Sequence, residues 1–213
     1  MMTESRRFTV VILGDSWVGK TSLLEQFINK EYNEFQPIIF FNLFETKTII
    51  NDDEIDLFLW DTPGLDRFSR AVRSYSKRAD GVVLVYDVTR FDTFTELTRR
   101  LSHFRAENKT APAIIVGNKI DEKDSQEIVP LGCVKEFADQ HKMDFMEASA
   151  KTGENVDEIF ERLTRKMLTS NSMPETKTFE SVKRAEHSSR STHKGNSGIS
   201  LHGTTQKPNN KCF

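Results

Sequence analysis

With 213 residues, 37% of them hydrophobic and 29% charged, the chain has room for one ordinary globular core and an extension. A formal net charge of −2 gives no global case for nucleic-acid binding, and no nucleic-acid partner is expected. The two cysteines, Cys133 and Cys212, suggest neither a disulfide framework nor a zinc site, and no run approaches the ~18 apolar residues of a membrane span.

In chain order, "FTVVILG" (8–14) is a continuous apolar run ending in glycine, the pattern of a strand buried on both faces. "KTSLLEQFINK" (20–30) places Leu23, Leu24, Phe27 and Ile28 at helical spacing. "FNLFETKTII" (41–50) and "EIDLFLW" (54–60) are predicted strands on either side of the turn-prone "NDD". "DGVVLVYDV" (80–88) and "PAIIVGN" (112–118) are two further buried strands, with a helix face between them at Phe94, Leu97, Leu101 and Phe104. A helix is expected over 129–141, a strand over 143–149, and a last helix with the stripe Val156, Ile159, Phe160, Leu163 and Met167. Strands alternating with helices predict an α/β fold with a mostly parallel sheet, helices on both faces, and one antiparallel edge strand from the 41–60 hairpin. Ligands on such sheets bind where strands end and loops begin.

Composition changes near residue 170. The last 43 residues hold 12 Ser or Thr, seven Lys or Arg and only three Asp or Glu, so a globular part of charge −6 precedes a tail of +4. Such a tail buries too little to offset its chain entropy. The expected organisation is a short extension over 1–7, a folded domain over 8–170, and a disordered, mildly basic tail over 171–213.

Two motifs carry the chemistry. "GDSWVGKT" (14–21) fits G-x-x-x-x-G-K-[ST] between a predicted strand and a predicted helix. Gly14 and Gly19 let backbone N–H groups curl around phosphate oxygens, Lys20 reaches the outer phosphates, and Thr21 offers its hydroxyl to Mg²⁺. A glycine-rich turn with a solvated lysine is the bland alternative. "NKID" (118–121) follows a strand roughly a hundred residues later. Asp121 can accept from the N1 and N2 donors of guanine, an edge that adenine lacks. Lys119 can lay its stem on the base, and Asn118 can tie this loop to the phosphate loop. "EASAK" (147–151) adds a third loop, whose Ala150 N–H could meet guanine O6.

With these motifs in order, together with "WDTPG" (60–64), Arg67-Phe68 and "ADGVVLVYDVT" (79–89), the chain resembles the Ras superfamily, and the Rab branch in particular, over residues 8–168. The resemblance implies a P-loop G domain, a six-stranded sheet flanked by five helices. It implies GTP and GDP as ligands with Mg²⁺, slow hydrolysis, and a switch in membrane traffic or signalling. Effectors, exchange factors and activating proteins are the implied partners. Carried over residue by residue, Ser16, Trp17, Val18, Gly19, Lys20, Thr21 and Ser22 surround the phosphates, and Tyr32 stands beside the base. Asp61 joins Thr21 in the metal shell, and Gly64 senses the terminal phosphate. Asn118, Lys119, Asp121, Ser149, Ala150 and Lys151 form the guanine pocket.

Three departures qualify the resemblance. Leu65 occupies the place of the glutamine that orients the attacking water, and its isobutyl group can neither donate nor accept. In a reaction run by positioning, such a loss costs on the order of a hundredfold. The switch threonine is also absent: counting forward from Thr21 its place falls on Ile39, and counting back from Trp60 on Ile38. Ile39 is preferred because it also aligns Phe44 and Thr48. Trp17 replaces a glycine or small residue, and its ring either covers the nucleotide or points outward. The apolar run "PIIFF" (37–41) is either a strand start or an exposed patch for a partner, continued by residues 68–79. Two expectations follow, a switch with impaired intrinsic hydrolysis or a non-catalytic interaction module that keeps nucleotide as a structural cofactor.

The chain ends "NNKCF", without a C-a-a-X box or the cysteine pair usual in Rab proteins. A single lipid on Cys212, helped by the tail's positive charge, is the expected means of any contact with the cytosolic face of a membrane. A free cysteine on a cytoplasmic protein is the alternative.

Overall fold

The computed structural model describes residues 6–33, 41–64, 69–125 and 129–170. In chain order these form β1 (Arg6–Gly14), α1 (Lys20–Asn29), β2 (Asn42–Ile50), β3 (Asp53–Asp61), α2 (Ser69–Ser76), β4 (Gly81–Asp87), α3 (Phe91–Glu107), β5 (Ala113–Asn118), α4 (Leu131–Gln140), β6 (Asp144–Glu147) and α5 (Val156–Ser170). A short 3₁₀ segment, Ile120–Ser125, follows β5. The six strands lie in the order β2-β3-β1-β4-β5-β6. β2 runs antiparallel to β3, and the other pairings are parallel.

The hairpin turns on Asn51 and Asp52, whose φ values of 53° and 68° are left-handed. Two such residues between the paired Ile50 and Asp53 make the type of turn whose twist matches flanking strands. β2 alternates exposed and half-buried residues, as an edge strand covered on one face does, whereas every residue of β4 and β5 is buried.

Alternation along the central strands divides the core. Val10 and Ile12 of β1, Val83 and Val85 of β4, and Ile114 and Val116 of β5 share one cluster with Leu23 and Leu24 of α1 and Ile159, Phe160 and Leu163 of α5. Phe27 stacks on Phe160 there, with ring centroids 4.1 Å apart, fastening α1 to α5. Tyr86 of β4 instead meets Phe94 of α3 at 5.3 Å, and Phe94 meets Phe137 of α4 at 5.7 Å, both edge-on. The five helices thus cover both faces, and the C-terminal ends of β1, β3, β4 and β5 open into loops at a common edge.

One element departs from the sequence reading. Residues 69–76 form α2, read from sequence only as part of a partner surface, although Ala71, Val72 and Tyr75 of "SRAVRSYS" fall on one helical face. Tertiary contact supports it: Tyr75 packs against Trp60 at 4.2 Å and Phe41 at 5.0 Å. Asn108, just past α3, donates to the carbonyls of Ser76 and Ala79 at 3.0 and 2.7 Å and fixes the chain leaving α2. No helix among the described residues is long and apolar enough to cross a membrane.

Candidate nucleotide-binding site

The loop between β1 and α1 enters the helix through Gly19, at φ 90°. That conformation suits glycine, and the approach of Asn118 adds a second requirement: a Cβ on Gly19 would lie 2.2 Å from Asn118 Nδ2. α1 has no side-chain cap at this end. Its first N–H groups and the positive end of its dipole therefore face the loop, the arrangement that binds phosphate. Lys20 is 7% exposed. Its Nζ donates to the carbonyls of Gly14 at 3.1 Å and Asp15 at 2.6 Å, so the ammonium lies under the loop rather than in solvent. Burial is the main cause that pushes its pKa down to about 8, with Asp61 opposing. An anion placed over the loop would restore the charged form.

At the end of β3, Asp61 is fully buried. Its Oδ2 accepts from Thr21 Oγ1 at 2.5 Å, and its Oδ1 has no hydrogen-bond partner. Burial pushes its pKa up, against the Thr21 hydrogen bond and the Lys20 charge. A buried carboxylate oxygen left open beside a hydroxyl fits a small hard cation. Among the described residues no group of three or more His, Cys, Asp or Glu could cage a metal. One hydroxyl and one carboxylate oxygen suit Mg²⁺, which retains water and shares phosphate oxygens. Thr62 Oγ1 donates to the Ile12 carbonyl at 2.6 Å and pins the strand end that carries Asp61.

The base side is built from β5 and the loop before α5. Asn118 is 1% exposed and spans both loops: its Nδ2 donates to the Val18 carbonyl at 2.9 Å, and its Oδ1 accepts from the Ala150 N–H at 3.0 Å. The Ala150 N–H, read from sequence as a donor to the base, is thus engaged by Asn118. Ser149 Oγ donates to Asp121 Oδ1 at 2.5 Å, leaving Asp121 Oδ2 with the Lys151 ammonium 3.9 Å away. Lys119 adopts φ 72° and pairs with the buried Asp87 at 2.6 Å, which ties the turn to the end of β4.

Val18 in the loop and Ser22 in the first turn of α1 are buried, while Trp17 is 59% exposed with φ 69° and Tyr32 is 41% exposed. Trp17 is thus exposed to solvent beside the phosphate loop. Gly64 lies against the phosphate loop, where a Cβ would fall 2.2 Å from Ser16 N. Leu65, Arg67, Phe68, Ile38, Ile39 and Cys212 lie outside the described residues, as does "PIIFF" except Phe41. Sequence reasoning passed over Asp15, Glu25 and Arg100. The Glu25 carboxylate adds to the rise at Asp61, and Arg100 Nη2 reaches Asp15 Oδ1 at 3.3 Å and the Gly64 carbonyl at 2.9 Å. Neither Glu25 nor Arg100 belongs to a local motif, and only the packing of helices onto the site brings them there.

Comparison with known proteins agrees with this geometry. Residues 9–169 match the Ras family. The chain is 37% identical over 164 residues to the Ras-related protein RABC1 of Arabidopsis thaliana, covering 76% of this chain and 77% of that protein. It is 37% identical to the Ras-related protein Rab-2B of Dictyostelium discoideum, covering 76% and 80%. It is 41% identical to the Ras-related protein Rab-18-B of Danio rerio, covering 75% and 78%. The chain belongs to the Ras family, as a Rab-like small GTPase.

Proposed function

We propose that this Rab-like nucleotide-binding switch of membrane traffic binds GTP and GDP with Mg²⁺ but hydrolyses GTP slowly by itself. The observation that carries the reading is the buried Lys20 under the phosphate loop and the Thr21–Asp61 pair beside it, in a chain whose next position after Gly64 is Leu65. Lys20 and the N–H groups at the start of α1 would hold phosphate; Thr21 would ligate the cation and the open Asp61 oxygen would meet its shell through water. Mg²⁺, when bound, neutralises charge on the phosphates. Ser16, Trp17, Val18, Gly19 and Ser22 shape the loop around them, and Tyr32 stands at the rim. Asn118, Lys119, Asp121, Ser149, Ala150 and Lys151 form the guanine side, where the orientation of Asp121 by Ser149 supports recognition of the base edge. Gly64 reads the terminal phosphate. Leu65 cannot aim water, and Ile39 cannot tie the first switch to Mg²⁺ and phosphate.

The folded domain is assigned to 8–170; a single lipid on Cys212, helped by the basic tail over 171–213, would give a reversible contact with the cytosolic face of membranes, and a free cysteine is the alternative. Effectors, an exchange factor and an activating protein are the partner classes. Single-turnover hydrolysis of GTP tests the reading: Leu65→Gln together with Ile39→Thr should raise the rate on the order of a hundredfold. An unchanged rate would sink it. The contact of Arg100 with Gly64 supports a second reading, an interaction module indifferent to nucleotide state. Equal partner affinity for the GDP and GTP forms would favour that module.

A further inference from the structure

We infer that Arg100 is a positioning residue that holds the start of the second switch segment on the phosphate loop, a tie that a terminal phosphate supplies in a switch that moves. This inference rests on the nucleotide reading above. Arg100 projects from α3 between Leu97 and Leu101, which are 0% and 2% exposed, so its base is rigid. Its side chain is 13% exposed, and Nη2 donates both to the Gly64 carbonyl at 2.9 Å and to Asp15 Oδ1 at 3.3 Å. The same Asp15 oxygen accepts from the Ser16 N–H at 2.7 Å. One guanidinium nitrogen thus links three chain segments: α3, the phosphate loop and the end of the Asp61–Gly64 stretch.

Gly64 is seated closely in this arrangement. A Cβ placed on it would lie 2.2 Å from Ser16 N and 2.5 Å from the Asp15 carbonyl carbon, so the two backbones are already in contact. In a GTP-dependent switch the terminal phosphate draws this glycine towards the loop, and the segment is released when the phosphate leaves. Here a fixed cation on a helix makes the connection through protein atoms alone. A donor with two N–H groups on one nitrogen suits the paired carbonyl and carboxylate, whereas a single point charge would favour the carboxylate. The consequence is that Gly64 stays docked in both nucleotide states, where it meets a terminal phosphate in the GTP form and is not released when that phosphate leaves. Partner surfaces built on α2 then change little through the cycle, and this complements the missing tie at Ile39.

The test is amide hydrogen exchange at Asp61–Gly64 and Ser69–Ser76 in the full chain, loaded with GDP or with a non-hydrolysable GTP analogue and Mg²⁺. In the parent protein the two forms should exchange within about twofold of each other. Arg100→Met should speed exchange in the GDP form by about tenfold, the factor for losing one charge-assisted hydrogen bond, and leave the analogue form nearly unchanged. Arg100→Lys, which keeps the charge and tests the geometry should the Met variant not fold, should fall between. Equal loosening of both forms would reveal a merely structural role and overturn the inference, as would an unchanged GDP form. Failure of the parent to load either nucleotide would overturn the nucleotide reading and this inference with it. Successful loading with unaltered exchange removes the Arg100 role alone.

Discussion

Replacing Asn118 by alanine isolates the bond that joins the phosphate loop to the base loops. The side chain is 1% exposed and makes two hydrogen bonds, at 2.9 Å to the Val18 carbonyl and 3.0 Å from the Ala150 N–H. Val18 and Ala150 are themselves 0% and 3% exposed, so water has little access to the groups left behind. Each stranded group costs about 1–3 kcal/mol, and some relaxation is expected, so the total should be about 3 kcal/mol. For a chain of this size that lowers Tm by roughly 6–12 °C. Asn118→Asp retains an acceptor for Ala150 but faces the Val18 carbonyl with a second acceptor and buries a charge, so it should fare no better than alanine. Thermal unfolding followed by far-ultraviolet circular dichroism reads the effect, and nucleotide release should accelerate in parallel. An alanine variant within about 0.5 kcal/mol of the parent would refute the claim that this side chain couples the two loops.

Lys20 predicts a pH effect on nucleotide binding. Its folded-state pKa of about 8 lies below the unfolded value of 10.5. The folded chain therefore releases this proton first, and its contribution to stability without ligand rises with pH between those values. Phosphate requires the charged amine, so GDP affinity should weaken as pH rises, by about threefold between pH 7.5 and 8.5. Titration calorimetry should show this slope, and Lys20→Met should bind weakly without it; an equal slope in the variant would exclude Lys20 as its source. Two glycines make a paired stability test. Gly19→Ala must place Ala at φ 90° and a Cβ against Asn118, costing at least about 2 kcal/mol. Gly132→Ala meets nothing within 4 Å on α4 and should stabilise by about 0.5 kcal/mol. Thermal melts that reverse this order would contradict the packing described.

The central strands were legible because burial on both faces requires unbroken apolar runs, as in "VVILG" and "GVVLVY". Helices α1, α3 and α5 were legible from their stripes. α2 was legible only through the five helices that the family resemblance implies: its stripe of Ala71, Val72 and Tyr75 spans two turns, too short to stand out by itself, and its Tyr75 meets Trp60 and Phe41. The site divides along the same line. Lys20, Thr21, Asp61 and Asn118 sit in short motifs whose chemistry is local. Arg100 meets Asp15 and Gly64 across separations of 85 and 36 residues, a contact no local pattern records. Trp17 also adopts a left-handed backbone at φ 69°, which its residue type does not disclose.

The most direct measurement is the identity of the nucleotide released when freshly purified protein is denatured and the extract is resolved by ion exchange. On the proposed reading the expected result is a guanine nucleotide, mostly GTP, since Leu65 would leave the attacking water unaimed. Mostly GDP would show that hydrolysis proceeds without the glutamine and would contradict the impaired switch.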